Sequence, residues 1–331
     1  MRQAVSLFKL LLCLIWITCF ISCKKNTTVS RLPGGPSDVK IIKDVKYGSN
    51  RNLQGNIQNL ALDIYMPADL TPSEKLPLIL FVHGGGFVAG DKGSAAFALQ
   101  KFAEAGFVGV SIDYRVDSSA DGSVDPCTVD TTVTQRALYM SVQDTRAALR
   151  FMVANADKYN IDTSRIFLDG NSAGAITVLN SHFLKQADFN ALIPGIESEL
   201  GGIDNADNAI RNTYSIIGIG ANSGCLPNPN YITSSNVVPV IFFHGGLDSV
   251  IPINRGHAYY CPGTLYVYGS ATLYNRVSDL DEATVIHVAP DGGHGPYAED
   301  FLTDNEICFF NSVISSKVER GYYSALQSSC H

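Results

Sequence analysis

A short apolar run, Arg165-Ile166-Phe167-Leu168-Asp169, leads into Gly170-Asn171-Ser172-Ala173-Gly174. Beyond it Ile176, Leu179, Phe183 and Leu184 recur at helical spacing and share one face. A buried strand that turns straight into a helix leaves little room at the joint. Glycine on both flanks lets the two backbones approach closely, and a serine at the tip of so sharp a turn points its hydroxyl out of the sheet edge. G-x-S-x-G in this strand–turn–helix setting reads as a nucleophile elbow. It commits the surrounding chain to a sheet whose strands end where chemistry is done.

Other segments fit that frame. Residues 39–47 and 59–65 read as an antiparallel hairpin at a sheet edge, the second alternating Leu60, Leu62 and Ile64. Residues 76–82 are almost continuously apolar, the mark of a strand buried on both faces, and end in His83-Gly84-Gly85-Gly86-Phe87. A helix over 93–105 precedes a second buried strand, 107–113, which runs into Tyr114-Arg115. A polar insert at 116–132 comes next. The long amphipathic helix over 134–159 carries Leu138, Val142, Leu149, Met152 and Val153 on one stripe. Residues 187–211 are acidic and read as irregular. Strands follow over 213–219, 237–243 and 283–289, the last two ending in His244-Gly245-Gly246-Leu247-Asp248 and Pro290-Asp291-Gly292-Gly293-His294-Gly295. A terminal helix covers 299–313. Strands alternating with helices predict an α/β fold with a mainly parallel central sheet and helices on both faces. With 331 residues, 46% hydrophobic and 17% charged, there is material for one large core over 39–331.

The groups able to do chemistry fall at the C-terminal ends of strands, the edge where open α/β sheets bind ligands. Their chain order is Ser172, Asp248, His294. Taken with His83-Gly84-Gly85-Gly86-Phe87, Asp113-Tyr114-Arg115, Gln143-Asp144 with Arg150, and Gly293-His294, this resembles the α/β-hydrolases of the carboxylesterase and hormone-sensitive-lipase-like group. The resemblance spans most of residues 60–300. It implies an α/β-hydrolase fold and ester hydrolysis with neither cofactor nor metal. Ser172 would attack, His294 would take and return its proton, and Asp248 would orient the imidazole. The backbone N–H groups of Gly85, Gly86 and Ala173 would form the oxyanion hole. Two departures bear on substrate: a long segment between Asp248 and the final strand, and the 116–132 insert. With no long apolar lid segment, short-chain acyl esters are expected, acetyl or feruloyl groups on polysaccharide among them. A serine peptidase of the same fold is the alternative, against which the glycine run argues. A non-catalytic binding protein on this scaffold is another, but such proteins commonly lack a nucleophile or base.

Each rival residue has a plainer reading. His83 and His244 read as structural, as do His182 in a helix and His287 in a strand. His257 is the rival base and Asp291 the rival acid, the latter only three positions from His294. Asp113 and Asp169 should cap or pair with arginine, and Asp144 should sit in a buried ion pair. Tyr259, Tyr260, Tyr266, Tyr268 and Tyr274 could form a platform for a sugar or aromatic acyl group, or merely cover the sheet edge.

The N-terminus belongs to export. Arg2 and Lys9 precede an apolar run over 10–21 that is short for a membrane span, and Ser22-Cys23 follows. This resembles a bacterial lipoprotein signal, with 1–22 removed and Cys23 lipidated. Loss of Arg2 and Lys9 takes the net charge from −7 to −9, so acyl chains rather than a cationic patch would hold the protein to a membrane. The same acidity gives nucleic-acid binding no support. Residues 23–38, with Pro33-Gly34-Gly35-Pro36, read as a flexible tether. Of the remaining cysteines, Cys127, Cys225, Cys261, Cys308 and Cys330, one or two pairs should form disulfides in an oxidising compartment, leaving an odd thiol. Their spacing fits no zinc site.

Overall fold

The computed structural model describes residues 38–116, 125–128, 130–317 and 320–330. The signal segment, Cys23, most of the tether and most of the 116–132 insert lie outside the described residues.

The chain opens with β1 (Val39–Arg51) and β2 (Ile57–Pro67), paired antiparallel with β1 at the sheet edge. Next come β3 (Leu76–Val82), α1 (Ala96–Glu104) and β4 (Val108–Ile112). Strand β2 pairs antiparallel with β4, and every later neighbour in the main sheet is parallel. Helix α2 (Thr131–Ala154) begins about one turn earlier than its apolar stripe predicts, because the Asp130 carboxylate caps it by accepting the Thr132 N–H at 2.8 Å. Strand β5 (Ile161–Gly170) feeds α3 (Ala173–Phe183). Residues 187–211, expected to be irregular, instead begin with two short helices, α4 (Gln186–Leu192) and α5 (Ile196–Leu200). Phe189 and Ile196 are buried there, so two apolar anchors fix a segment whose average composition is polar.

The order continues with β6 (Ile216–Asn222), β7 (Cys225–Leu226), β8 (Val240–Gly245), β9 (Arg255–His257), β10 (Tyr266–Gly269), α6 (Ser270–Asp279), β11 (Thr284–Ala289), α7 (Glu299–Ile314) and β12 (Gly321–Ser324). The nine-stranded sheet runs β1-β2-β4-β3-β5-β6-β8-β11-β12, and β7-β10-β9 form a small three-stranded sheet of their own. Side chains alternate across the main sheet as strand geometry requires. Leu78, Leu80 and Val82 of β3 pack in the layer with α2, α3 and α6, while Ile79 packs in the layer with α1 and α7. A strand used on both faces has no polar positions to spare, which explains the unbroken apolar run. This is the α/β-hydrolase fold, and it brings the ends of β3, β5, β8 and β11 to one edge.

Candidate active site

The turn after β5 is where the fold is tightest. Ser172 takes φ 54° and ψ −119°, a left-handed conformation that side-chain-bearing residues rarely adopt. Such strain costs on the order of 1–3 kcal/mol and persists only where the surroundings over-determine it. Here they do. The Ser172 N–H donates to the Asn222 carbonyl at 2.8 Å, and a side chain at Gly174 would place its Cβ 1.8 Å from the Val82 carbonyl oxygen. Helix α3 can therefore start against β3 only with glycine there.

Asp248 and His294 come from the turns after β8 and β11, neighbouring parallel strands. The Ser172 hydroxyl lies 2.7 Å from His294 Nε2, and His294 Nδ1 lies 2.7 Å from Asp248 Oδ2. Asp248 is 1% exposed, so its charge needs compensation. Its Oδ1 accepts the Val250 and Ile251 N–H groups at 2.8 and 2.9 Å. Burial opposes ionisation, yet hydrogen bonds from His244, His294 and the Ile251 N–H outweigh it and hold this carboxyl well below the ordinary range. The carboxyl is thus biased toward its anion, with Oδ2 against His294 Nδ1.

Ala173 is the first residue of α3, and the first N–H groups of a helix have no partner within it. Gly85 and Gly86 of the loop after β3 have φ of 115° and 63°. A Cβ at Gly85 would lie 2.0 Å from the Ala89 carbonyl oxygen, so this loop also depends on glycine. Gly86, Ala173 and Ser172 line one cavity of about 510 Å³. Its walls are mainly apolar: Phe87 from the glycine loop, Leu138 from α2, Ile176 from α3, Phe189 and Leu192 from α4, and Val267 from β10. The helical wall residues gave no local signal of a cavity in the sequence, because apolar positions on helices read as core.

The rival residues settle elsewhere. His257 Nδ1 contacts the Thr264 carbonyl, and Asp291 is exposed while Asp248 holds the His294 ring. His83 stacks on Tyr114 and bonds the Gly84 carbonyl, tying down the glycine loop, and burial lowers its pKa. His182 reaches the Asn236 carbonyl, and His287 is stacked between Phe243 and Tyr323. Asp144 meets buried Arg115 at 2.6 Å, the expected ion pair. Asp113 takes the capping alternative: it accepts the N–H of Lys92, the first residue of a short turn over Lys92–Ala95, and faces the Lys92 ammonium. Asp169 departs from expectation: among the described residues it meets no arginine, accepts the Gly170 N–H at 2.7 Å and faces Glu306 of α7. The tyrosines divide: Tyr259 and Tyr266 line the cavity, whereas Tyr274 packs on Tyr322 of the edge strand. Disulfides join Cys127 to Cys261 and Cys308 to Cys330, leaving Cys225 as the buried free thiol among the described residues.

Comparison with known proteins agrees with this architecture. The BD-FAE family model matches residues 62–216. Esterase LipC of Mycobacterium tuberculosis is 28% identical over 166 residues, covering 50% of this chain and 36% of that protein. A probable isoprenylcysteine alpha-carbonyl methylesterase of Oryza sativa subsp. japonica is 32% identical over 114 residues, 34% of this chain and 23% of its own length. The chain therefore matches only about a quarter to a third of these relatives' lengths. Among solved structures, a truncated carbohydrate esterase from gut microbiota superposes with a TM-score of 0.58 at 19% identity, over 86% of this chain and all of that one. Apo Thermogutta terrifontis esterase 2 superposes with a TM-score of 0.55 at 18% identity, over 87% and 98%.

Proposed function

We propose that this protein is a serine carboxylic-ester hydrolase that forms an acyl-enzyme on Ser172. The observation that carries the reading is the unbroken run of two 2.7 Å contacts from Asp248 through His294 to the Ser172 hydroxyl. With Nδ1–H held by an anionic carboxylate, Nε2 is the free lone pair, and it faces the serine proton. Attack on an ester carbonyl moves that proton to Nε2 and negative charge to the carbonyl oxygen. In this reading the N–H groups of Ala173, Gly85 and Gly86 receive that charge, each worth about 3 kcal/mol in such a role. The imidazolium then protonates the departing alcohol, and water repeats the sequence to release the acid. The esterase relatives support the same chemistry.

Acyl groups carried on polysaccharide, acetyl or feruloyl, are the substrates we favour. An acetyl group reaches Ser172 without filling the cavity, whereas its volume and apolar walls suit an aromatic acyl group. Export and lipidation at Cys23 suit a substrate that stays outside the cell. Mass spectrometry of the mature N-terminus should find acyl chains on Cys23; an unmodified terminus elsewhere contradicts the anchor. The reading is tested on chromogenic esters of rising chain length, acetylated and feruloylated oligosaccharides, and peptides. Ester turnover should vanish in Ser172→Ala with the fold retained. Residual activity above about 1% of wild type, or cleavage of peptides alone, contradicts it.

A further inference from the structure

The described Asp248 environment contains a group that the proton transfers above do not use. His244, the penultimate residue of β8, is wholly buried, and its two ring nitrogens have different neighbours. Nε2 faces two oxygens, the Ile251 carbonyl at 3.0 Å and Asp248 Oδ2 at 3.2 Å. Oxygen acceptors on both sides require a hydrogen on that nitrogen. Nδ1 faces the hydroxyl of Ser270 at 2.7 Å, also wholly buried. With Nε2–H in place, Nδ1 is the acceptor and the serine donates. The two oxygens thus select the tautomer whose N–H bonds the Ile251 carbonyl and faces Asp248, and the serine hydroxyl complements it by donating to Nδ1. That N–H reaches the same oxygen that receives His294 Nδ1.

We propose that His244 and Ser270 are positioning residues for the acid: Ser270 anchors the His244 ring through Nδ1, and His244 holds the Asp248 carboxylate so that Oδ2 meets His294. The proposal rests on the ester-hydrolase reading above. It also gives a purpose to the long segment between the acid and the last strand. That segment folds as β9, β10 and α6, and Ser270 is the first residue of α6. The Gly269 N–H bonds the Asn254 carbonyl, and a Cβ at Gly269 would meet the Pro252 carbonyl oxygen at 2.0 Å. The backbone before Ser270 is thereby pressed against the loop that follows Asp248. Without the segment, His244 would keep its place on β8 and lose the hydroxyl that orients it.

The physical consequence concerns charge as well as place. Oδ2 shares its negative charge between two N–H donors. Remove the His244 donor and more of that charge falls on the His294 N–H, which stabilises the imidazolium. The other titratable groups coupled to this carboxylate are Cys225 and Tyr259, both raised chiefly by burial and further by Asp248, so neither supplies a positive charge in its place. The test uses His244→Leu, His244→Gln and Ser270→Ala. Glutamine can return an amide N–H near the position of Nε2. Two readouts are compared with wild type: kcat and KM on a chromogenic acetate across pH, and the titration of the His294 ring followed by nitrogen-15 NMR. In His244→Leu, kcat should fall on the order of tenfold with KM within about twofold, and the His294 midpoint should rise by about half a pH unit or more. Ser270→Ala should move both the same way by less, and His244→Gln should recover most of the loss. A His294 midpoint unmoved in Ser270→Ala and in His244→Leu overturns the proposal, as does equal loss in the leucine and glutamine variants. If His244→Leu does not fold, Ser270→Ala decides alone. A wild type without ester turnover overturns the functional reading instead, while the NMR titration still tests the geometry.

Discussion

Two buried carboxyls stand at the edge of this sheet, and they have opposite fates. Asp248 and Asp169 are each 1% exposed. Asp248 collects two backbone N–H groups on one oxygen and two imidazoles on the other, and stays ionised. Asp169 has the Gly170 N–H but faces the carboxyl of Glu306, itself buried. Burial pushes Asp169 up to about 7, and burial together with the Asp169 charge raises Glu306 well above its ordinary range. Burial alone therefore does not set the charge; the donors within reach do. The acid beside His294 is held in its charged form, as the proposed proton transfer requires. The pair behind the elbow is pushed toward its protonated form instead.

Removing the charge of Asp248 is the severest way to probe that difference. In Asp248→Asn the imidazole loses its anionic partner, and the tautomer with the wrong nitrogen protonated becomes accessible. Turnover should fall by about 10⁴, the loss seen in a related triad, with the fold intact by circular dichroism. Asp291→Asn, three positions from the base and exposed, should cost no more than about twofold on the same ester. The acid is misassigned if the order is reversed.

A gentler effect should come from the other carboxyl pair. Asp169 and Glu306 are held above their unfolded values of about 3.9 and 4.3. The folded protein then binds more protons than the unfolded chain from about pH 4 upward. The sign follows: stability is undiminished below about pH 4 and is lost as pH rises through about 7. Glu306→Gln leaves one carboxyl with an amide donor, so the penalty at high pH should disappear. Its Tm should exceed that of wild type by about 2–4 °C at pH 8 and not at pH 4, with kcat within about twofold. An equal Tm shift at both values, or a large loss of turnover, would contradict this account of the pair.

The same contrast marks how far the sequence reaches. Ser172, Asp248 and His294 were legible because each sits in a short motif where a strand ends, and the fold alone then brings strand ends together. The alternation of apolar strands and amphipathic helices likewise revealed the sheet and its two faces. Contacts between distant segments were not legible. Glu306 meets Asp169 only because α7 packs under β5, and no local pattern announces that. Ser270 looks like any helix-starting serine until α6 is docked beneath β8. Residues 187–211 hid Phe189 and Ile196 among polar neighbours, and β12 is four residues long with alternating exposure, too short to stand out. Asp130 could have been read as the cap of α2, since it directly precedes the first helical threonines. Pairing of Cys127 with Cys261 spans 134 residues and needs the folded chain.

The central claim is that Ser172 is the nucleophile and owes its reactivity to His294. Peptide mass spectrometry after brief exposure to an aryl fluorophosphonate addresses it most directly. In the wild-type protein the adduct should fall on Ser172 alone, and its rate should drop by at least about a hundredfold in His294→Gln, where no base faces the hydroxyl. Labelling of a different residue, or of Ser172 at an undiminished rate without His294, would contradict the account.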